Sequence, residues 1–266
     1  MPSYVITGAA RGIGYEFVRQ LGSKPGNVVF GLVRNKGTAT KLIELASGAS
    51  NIHVLQADIT DVPALKEAAV EVAKVTGGTL DYLINNGAYI ELENRNRTFD
   101  DYPEEHLAED MNQSFQVNVL GVVYTINAFL RLIRKGAGKK VLTLSSGQGD
   151  LEFALNVGIP NAGPYSVSKA AVNMVMVKYA VRFKAEGIVF LTISPGWVNT
   201  HQGPPPPSLQ ADGAALKARL GEFYPDWNGK QLEPEESVRL QLQVLEKATL
   251  EDSGAFVSQF GNKQWV

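Results

Sequence analysis

Ser3-Tyr4-Val5-Ile6-Thr7-Gly8-Ala9-Ala10-Arg11-Gly12-Ile13-Gly14 is the stretch on which the fold turns. A short β-branched run, Ser3–Thr7, breaks into glycines at 8, 12 and 14, and a helical pattern begins at Gly12. Strand, glycine loop and helix N-terminus in that order make a phosphate cradle. The glycines let the backbone turn tightly and come close to a pyrophosphate, and the helix offers unpaired N–H groups and the positive end of its dipole. The spacing is G-x-x-x-G-x-G, not the commoner G-x-G-x-x-G, and the Gly-Lys-Ser/Thr of a Walker loop is missing. A plain strand-to-helix turn would carry similar glycines. The strand before and the helix after predict instead a dinucleotide site built on Gly8, Arg11, Gly12, Ile13 and Gly14.

The rest of the chain repeats the unit. Strand patterns fall at Ser3–Thr7, Val28–Val33, Ile52–Gln56, Leu80–Asn85, Lys140–Ser145, Ile188–Ser194 and near Gly254–Ser258. Helical patterns fall at Gly12–Gly22, Thr38–Ala46, Val62–Val75, Met111–Arg134, Tyr165–Glu186 and Pro234–Ala248. This alternation predicts an α/β fold: a doubly wound, parallel sheet of about seven strands with helices on both faces. Strands such as Val28-Val29-Phe30-Gly31-Leu32-Val33 are almost continuously apolar, as burial on both faces requires. No repeat, linker or charge block divides residues 1–266, so one Rossmann domain is expected. Two stretches break the rhythm. Tyr89–Glu109 is polar and predicts an exposed loop with a helix start near Pro103. Asn199–Gly229 holds Pro204-Pro205-Pro206-Pro207, which favours a stiff extended segment, followed by Phe223, Tyr224 and Trp227. It reads as a surface excursion or as a substrate lid at about 199–229, and its place after a strand's carboxyl end favours the lid.

Composition narrows the function. Of 266 residues, 44% are hydrophobic and 20% charged, the range of a soluble globular protein with a core large enough to need no staples. Twenty-five basic against 27 acidic residues give a formal charge of −2, which argues against a nucleic-acid surface. The absence of cysteine excludes disulfides, thiol catalysis and zinc–thiolate sites, and three scattered histidines (His53, His106, His201) argue against a metal centre. No signal-peptide pattern precedes Tyr4, and no window approaches 18 uninterrupted apolar residues. The expectation is a cytoplasmic protein with no membrane span and a small-molecule partner.

The second strand ends Leu32-Val33-Arg34-Asn35-Lys36, without the acid that would hold a ribose 2′-hydroxyl. Arg34 suits a 2′-phosphate, and Arg11 adds a second positive charge, so NADP(H) is expected over NAD(H). The other reading is two solvated surface cations. Tyr165 and Lys169 stand one turn apart on one helix face. An ammonium there would stabilise phenolate and lower the tyrosine pKa, so that Tyr165 could exchange a proton near neutral pH. Ser145-Ser146-Gly147 follows the fifth strand, with Ser146 19 residues before Tyr165. A hydroxyl at that carboxyl edge could polarise a carbonyl beside Tyr165; strand alternation alone allows either serine.

With these residues in hand, the sequence resembles a short-chain dehydrogenase/reductase of the single-domain type over essentially its whole length. The resemblance rests on Thr7-Gly8…Gly12…Gly14, Asp58-Ile59, Asn118, Ser146, Tyr165…Lys169 and Pro195-Gly196-Trp197-Val198-Asn199-Thr200. It implies a catalytic set of Asn118, Ser146, Tyr165 and Lys169, with Tyr165 as proton donor, Ser146 on the substrate oxygen, Lys169 on the nicotinamide ribose and Asn118 behind a proton-relay water. It implies Asp58 and Ile59 near adenine, and Pro195, Gly196, Val198 and Thr200 beside the nicotinamide and diphosphate. Asn85, Asn86 and Gly87 would border the cofactor ribose. Here the sequence departs: it has Asn85-Asn86-Gly87-Ala88 where the family has Asn-Asn-Ala-Gly. The Ser–Tyr gap, Arg34 and the C-terminal segment resemble the subgroup of sniffer-type carbonyl reductases and C-factor-like proteins.

The implied activity is NADPH-dependent reduction of a ketone or oxidation of an alcohol. Trp197, Phe223, Tyr224 and Trp227 suggest a hydrophobic or aromatic substrate, with Phe153 and Leu155 as an opposite wall or as ordinary packing. A homodimer or homotetramer follows from family habit. The rival class is a catalytically silent NADP-binding regulator of the same fold, against which the full catalytic set speaks. A nucleotide-sugar epimerase would need a larger C-terminal substrate domain.

Overall fold

The computed structural model describes residues 1–200 and 207–266, without the side chains of 207–212. Seven strands, β1 (Ser3–Thr7), β2 (Val28–Val33), β3 (Ile52–Gln56), β4 (Tyr82–Asn85), β5 (Lys140–Leu144), β6 (Val189–Ser194) and β7 (Phe256–Ser258), form one parallel sheet in the order β3-β2-β1-β4-β5-β6-β7. The winding reverses between β1 and β4. Loops at their carboxyl ends diverge there and leave the crevice in which such sheets bind ligands. This is the expected Rossmann sheet.

Period-two alternation sends neighbouring side chains of each strand into different cores. On β1, Val5 packs with Leu65 and Val72 of α3 (Val62–Thr76) and with Ile126 and Phe129 of α5 (Gly121–Ile133). Its neighbour Ile6 packs with Phe17 and Val18 of α1 (Gly12–Gly22) and Leu42 of α2 (Thr40–Ser47). Both faces are covered, which is why the strands are apolar throughout. Local chemistry sets the helix ends. Asp61 caps α3 through Ala64 N at 3.0 Å, and Gly77, at φ +68°, terminates it.

Several elements differ from expectation. The fourth-strand pattern begins at Leu80, but Leu80 and Asp81 lie outside the ladder and β4 starts at Tyr82. The helix start expected near Pro103 is there: α4 (Glu104–Phe115) opens just after Pro103, seven residues before the helical pattern expected from Met111, and only the end of the polar stretch is helical. A π-helical turn, Gln116–Leu120, joins α4 to α5 without a break. The combined run Glu104–Ile133 is long and apolar enough to cross a membrane, yet half of its most apolar window is buried within the fold. A short helix, α6 (Leu151–Val157), went unforeseen. It precedes the long α7 (Gly163–Phe183). Within the stretch read as a surface excursion or lid, residues 207–223 form α8 (Pro207–Phe223), whose first residue is a proline, well tolerated in a helix's first turn. Pro204, Pro205 and Pro206, and the rest of 201–206, lie outside the described residues. The last helix, α9 (Pro234–Lys247), covers the face that holds α1.

Candidate active site

Parallel pairing brings Thr7, Asn85, Leu144 and Ser194, the last residues of β1, β4, β5 and β6, to one edge of the sheet. The glycine loop leaves β1 there. Gly8 and Gly12 take φ +65° and +56°, a region unfavourable to side chains. A Cβ on Gly8 would also stand 2.7 Å from Gly87 Cα. Helix α1 opens at Gly12 without a side-chain cap, leaving its first N–H groups to a ligand. Such a glycine-walled cradle at a helix N-terminus fits a dinucleotide diphosphate. Thr200 stands against it, 3.7 Å from where a Gly12 Cβ would lie. Arg11 and Arg34 are exposed, and neither forms an ion pair among the described residues.

The Asn-Asn-Gly-Ala stretch latches the loop from behind. Thr7 Oγ1 accepts from Asn86 N and Gly87 N, both at 3.0 Å, and Asn86 Nδ2 donates to Thr7 O at 3.0 Å and Gly8 O at 3.2 Å. Gly8, with no Cβ, lets the two loops touch, and the residue it touches is Gly87. Its φ is not positive, and a Cβ would meet the flexible Ile59 Cδ1 at 3.3 Å, so the exchanged order strains nothing severely. Asn85 turns away: it is 2% exposed and donates to Thr143 Oγ1 at 3.1 Å, with its Oδ1 unpartnered among the described residues. Ile59 packs between Gly87 and Gly121. Asp58 Oδ1 accepts from Thr60 N at 2.9 Å and Thr60 Oγ1 at 2.8 Å. Gly196, at φ +85°, lies against the buried Gln259 amide, whose two polar atoms have no partner among the described residues. Pro195 O accepts from Ser237 Oγ at 2.7 Å, and Val198 bridges to Leu232.

The first turn of α7 faces this cradle. Of the two serines after β5, Ser145 is buried against Lys169 O at 3.4 Å, whereas the Ser146 hydroxyl accepts from Gln148 N at 3.2 Å and lies near enough to the Tyr165 phenol to bear on its pKa. Lys169, 3% exposed, donates to Leu144 O at 2.9 Å, and burial lowers its pKa to about 8. Burial raises the Tyr165 pKa, with the Ser146 hydroxyl and the Arg95 charge pulling it down. The expected lowering by Lys169 is not what the protein alone provides. The ammonium lies 5.5 Å from the tyrosine ring centre and bonds a carbonyl instead. Asn118, 1% exposed in the π turn, accepts from Tyr89 N at 2.7 Å and donates to Tyr89 O at 2.8 Å and Ser168 Oγ at 2.9 Å. Its side chain ties the loop after β4 to α7.

The aromatic segment is packed more than expected. Phe153 is buried edge-on against Trp265, and Leu155 is 81% exposed, so neither lines an opposite wall. Trp197 and Trp227 meet at a tilt of 49°, with ring centroids 5.6 Å apart. The sequence reading missed Arg95, whose carbonyl accepts from Ala162 N at 2.8 Å just before α7. Only its place after a strand's carboxyl end could have drawn attention to it.

A Rossmann sheet with a phosphate cradle and a Ser–Tyr–Lys group on one edge defines a nicotinamide-dependent oxidoreductase. The short chain dehydrogenase family model matches residues 3–205, and the chain belongs to that family, whose members bind nicotinamide cofactors and act on small molecules. It is 45% identical over its full length, and that of the relative, to the short-chain dehydrogenase/reductase AacuF of Aspergillus aculeatus. It is 44% identical, also over both full lengths, to the short chain dehydrogenase virK of Hypocrea virens. An NADPH-bound carbonyl reductase from chicken fatty liver superposes with a TM-score of 0.80 at 28% identity, covering 98% of both chains. The carbonyl reductase Sniffer of D. melanogaster shares the fold at a TM-score of 0.80, with 23% identity and 98% of both chains covered.

Proposed function

We propose that the protein is an NADP(H)-dependent carbonyl reductase or alcohol dehydrogenase for a hydrophobic or aromatic substrate. The observation that carries this reading is the convergence of Ser146, Tyr165 and Lys169 on the edge that holds the glycine loop. A bound nicotinamide supplies the hydride. Tyr165, with its pKa raised, keeps its proton at neutral pH and gives it to the carbonyl oxygen as that oxygen gains charge. Ser146 donates a hydrogen bond to the same oxygen and fixes its direction. Lys169 binds the ribose and, when protonated, favours the phenolate left on Tyr165. Gly8, Arg11, Gly12, Ile13, Gly14 and Thr200 would hold the diphosphate, Asp58 and Ile59 the adenine, Asn86 and Gly87 the ribose, and Pro195, Gly196 and Val198 the nicotinamide. Arg34 and Arg11, unpaired among the described residues, support a 2′-phosphate. The chicken enzyme's NADPH supports the same choice. Exposed Met174 and Val181 on α7 support a homodimer or homotetramer.

The test is loss of NADPH absorbance with a panel of aromatic ketones and quinones. Tyr165→Phe should lower kcat by about 10²–10⁴-fold with NADPH binding retained. A wild-type rate in that variant would remove Tyr165 from the proton path.

A further inference from the structure

The loop between β4 and α4 is rich in acids, and most are engaged. Glu91 accepts from the backbone N–H groups of Glu93 and Asn94. Asp101 pairs with Arg97 at 3.3 Å and accepts from Thr98 N at 2.7 Å. Asp110 takes the Tyr102 hydroxyl at 2.6 Å and the Asn94 amide at 3.2 Å. Arg95 stands in the middle of this loop and forms no ion pair among the described residues. It is nevertheless half-buried, and its backbone is anchored. Tyr89 is tied to Asn118, Ala162 N donates to Arg95 O at 2.8 Å, and the Phe99 ring covers Gly163. These anchors seat Arg95 at the first turn of α7, where its charge reaches the Tyr165 phenol. Holding a guanidinium partly out of water without a carboxylate costs free energy, and an incoming anion would offset it. The forked donors of arginine suit a planar oxygen anion better than a point charge would.

We infer that Arg95 binds the substrate, and that the protein reduces carbonyl compounds carrying an anionic oxygen group within reach of the reacting carbonyl. The shared chemistry is a carboxylate or an ionised acidic hydroxyl. The inference rests on the carbonyl-reductase reading and names its substrate class. It also assists the chemistry: an anion on Arg95 cancels the charge that draws the proton off Tyr165, so the loaded site holds its acid ready.

The experiment compares kcat/KM with NADPH for 2-, 3- and 4-formylbenzoate, each against its methyl ester. A second arm sets 4-hydroxy-3-nitrobenzaldehyde against its methyl ether, and 9,10-phenanthrenequinone serves as a neutral control. The readout is the acid-to-neutral ratio, which carries both the binding of the anion by Arg95 and its effect on the Tyr165 proton, while losses common to both substrates divide out. Wild type should prefer at least one acid by about ten- to a hundredfold. Arg95→Gln should bring that ratio near one, and Arg95→Lys should keep part of it. Preference in the first arm alone identifies a carboxylate, and in the second alone an acidic hydroxyl. Reduction of the quinone without acid preference in any wild-type pair would overturn the role of Arg95 alone. So would an unchanged ratio in an Arg95→Gln protein that still binds NADPH. No reduction of any probe would overturn the parent reading instead.

Discussion

The Lys169 ammonium is 3% exposed and bonds one carbonyl, Leu144 O, at 2.9 Å. Burial holds its pKa near 8, below its ordinary 10.5. The unfolded chain therefore binds this proton more tightly than the folded one, and stability should rise as pH increases from about 8 towards 10.5. Below pH 8 the full penalty persists. Lys169→Met removes the charge at similar volume, and should stabilise the apoprotein by about 1–3 kcal/mol at pH 7 while abolishing turnover. Thermal unfolding at pH 7 and 9.5 checks both points: the wild-type midpoint should gain on the variant at the higher pH. A variant that melts lower at pH 7 would show that the Leu144 bond outweighs the desolvation. The pairing of Tyr165 with Lys169 was legible from spacing alone. The direction of the Tyr165 shift was not, because it depends on where the ammonium points and on Arg95, about 70 residues earlier in the chain.

Among the elements, the run α4–π turn–α5 is the one that builds the site. Its π turn places Asn118 where three hydrogen bonds hold Tyr89 and Ser168. Asn118→Ala would leave the Tyr89 N–H and C=O unpartnered, at a cost of about 2–4 kcal/mol. Urea unfolding should show the loss. The loop of Tyr89 to Arg95 should also exchange its amide hydrogens faster than in wild type, while β1 and β5 stay protected. Equal protection of the loop would mean that Arg95 O and Phe99 hold it without Asn118. Sequence pattern found α1 and β1 to the residue, because a glycine turn and a β-branched run are local signals. It missed α6, a seven-residue helix whose only buried side chains are Phe153 and Val157. The signals were present: Asp150 caps Phe153 N at 3.0 Å and Gly158 ends the helix at φ +67°. Of the four prolines only the last, Pro207, is among the described residues, and it opens α8, as a helix's first turn allows.

At the scale of the whole molecule, cofactor binding is linked to folding. A ligand that binds only the folded chain stabilises it by about 2.7 kcal/mol at a hundred times its Kd. NADPH should therefore raise the melting temperature more than NADH at equal concentration, matching a preference of about tenfold or more. Arg34→Ala should narrow that gap. An equal shift by both cofactors in wild type would show that the 2′-phosphate is not read. The exchange belongs at Arg34, because its neighbour Val33 is 1% exposed in the core and would bury any carboxylate placed there. The sequence by itself determined the βα alternation, the phosphate loop and the chemical types of the site residues, since each is written in patterns a few residues long. Only the tertiary structure decided which of those residues meet. Strand order brings Thr7, Leu144 and Ser194 to one edge, turns Asn85 towards Thr143 and away from the cradle, and selects Ser146 over Ser145. It also seats Arg95 beside Tyr165. Contacts between residues far apart in the chain leave no periodic trace in it, because they depend on how separate elements pack and not on any local preference.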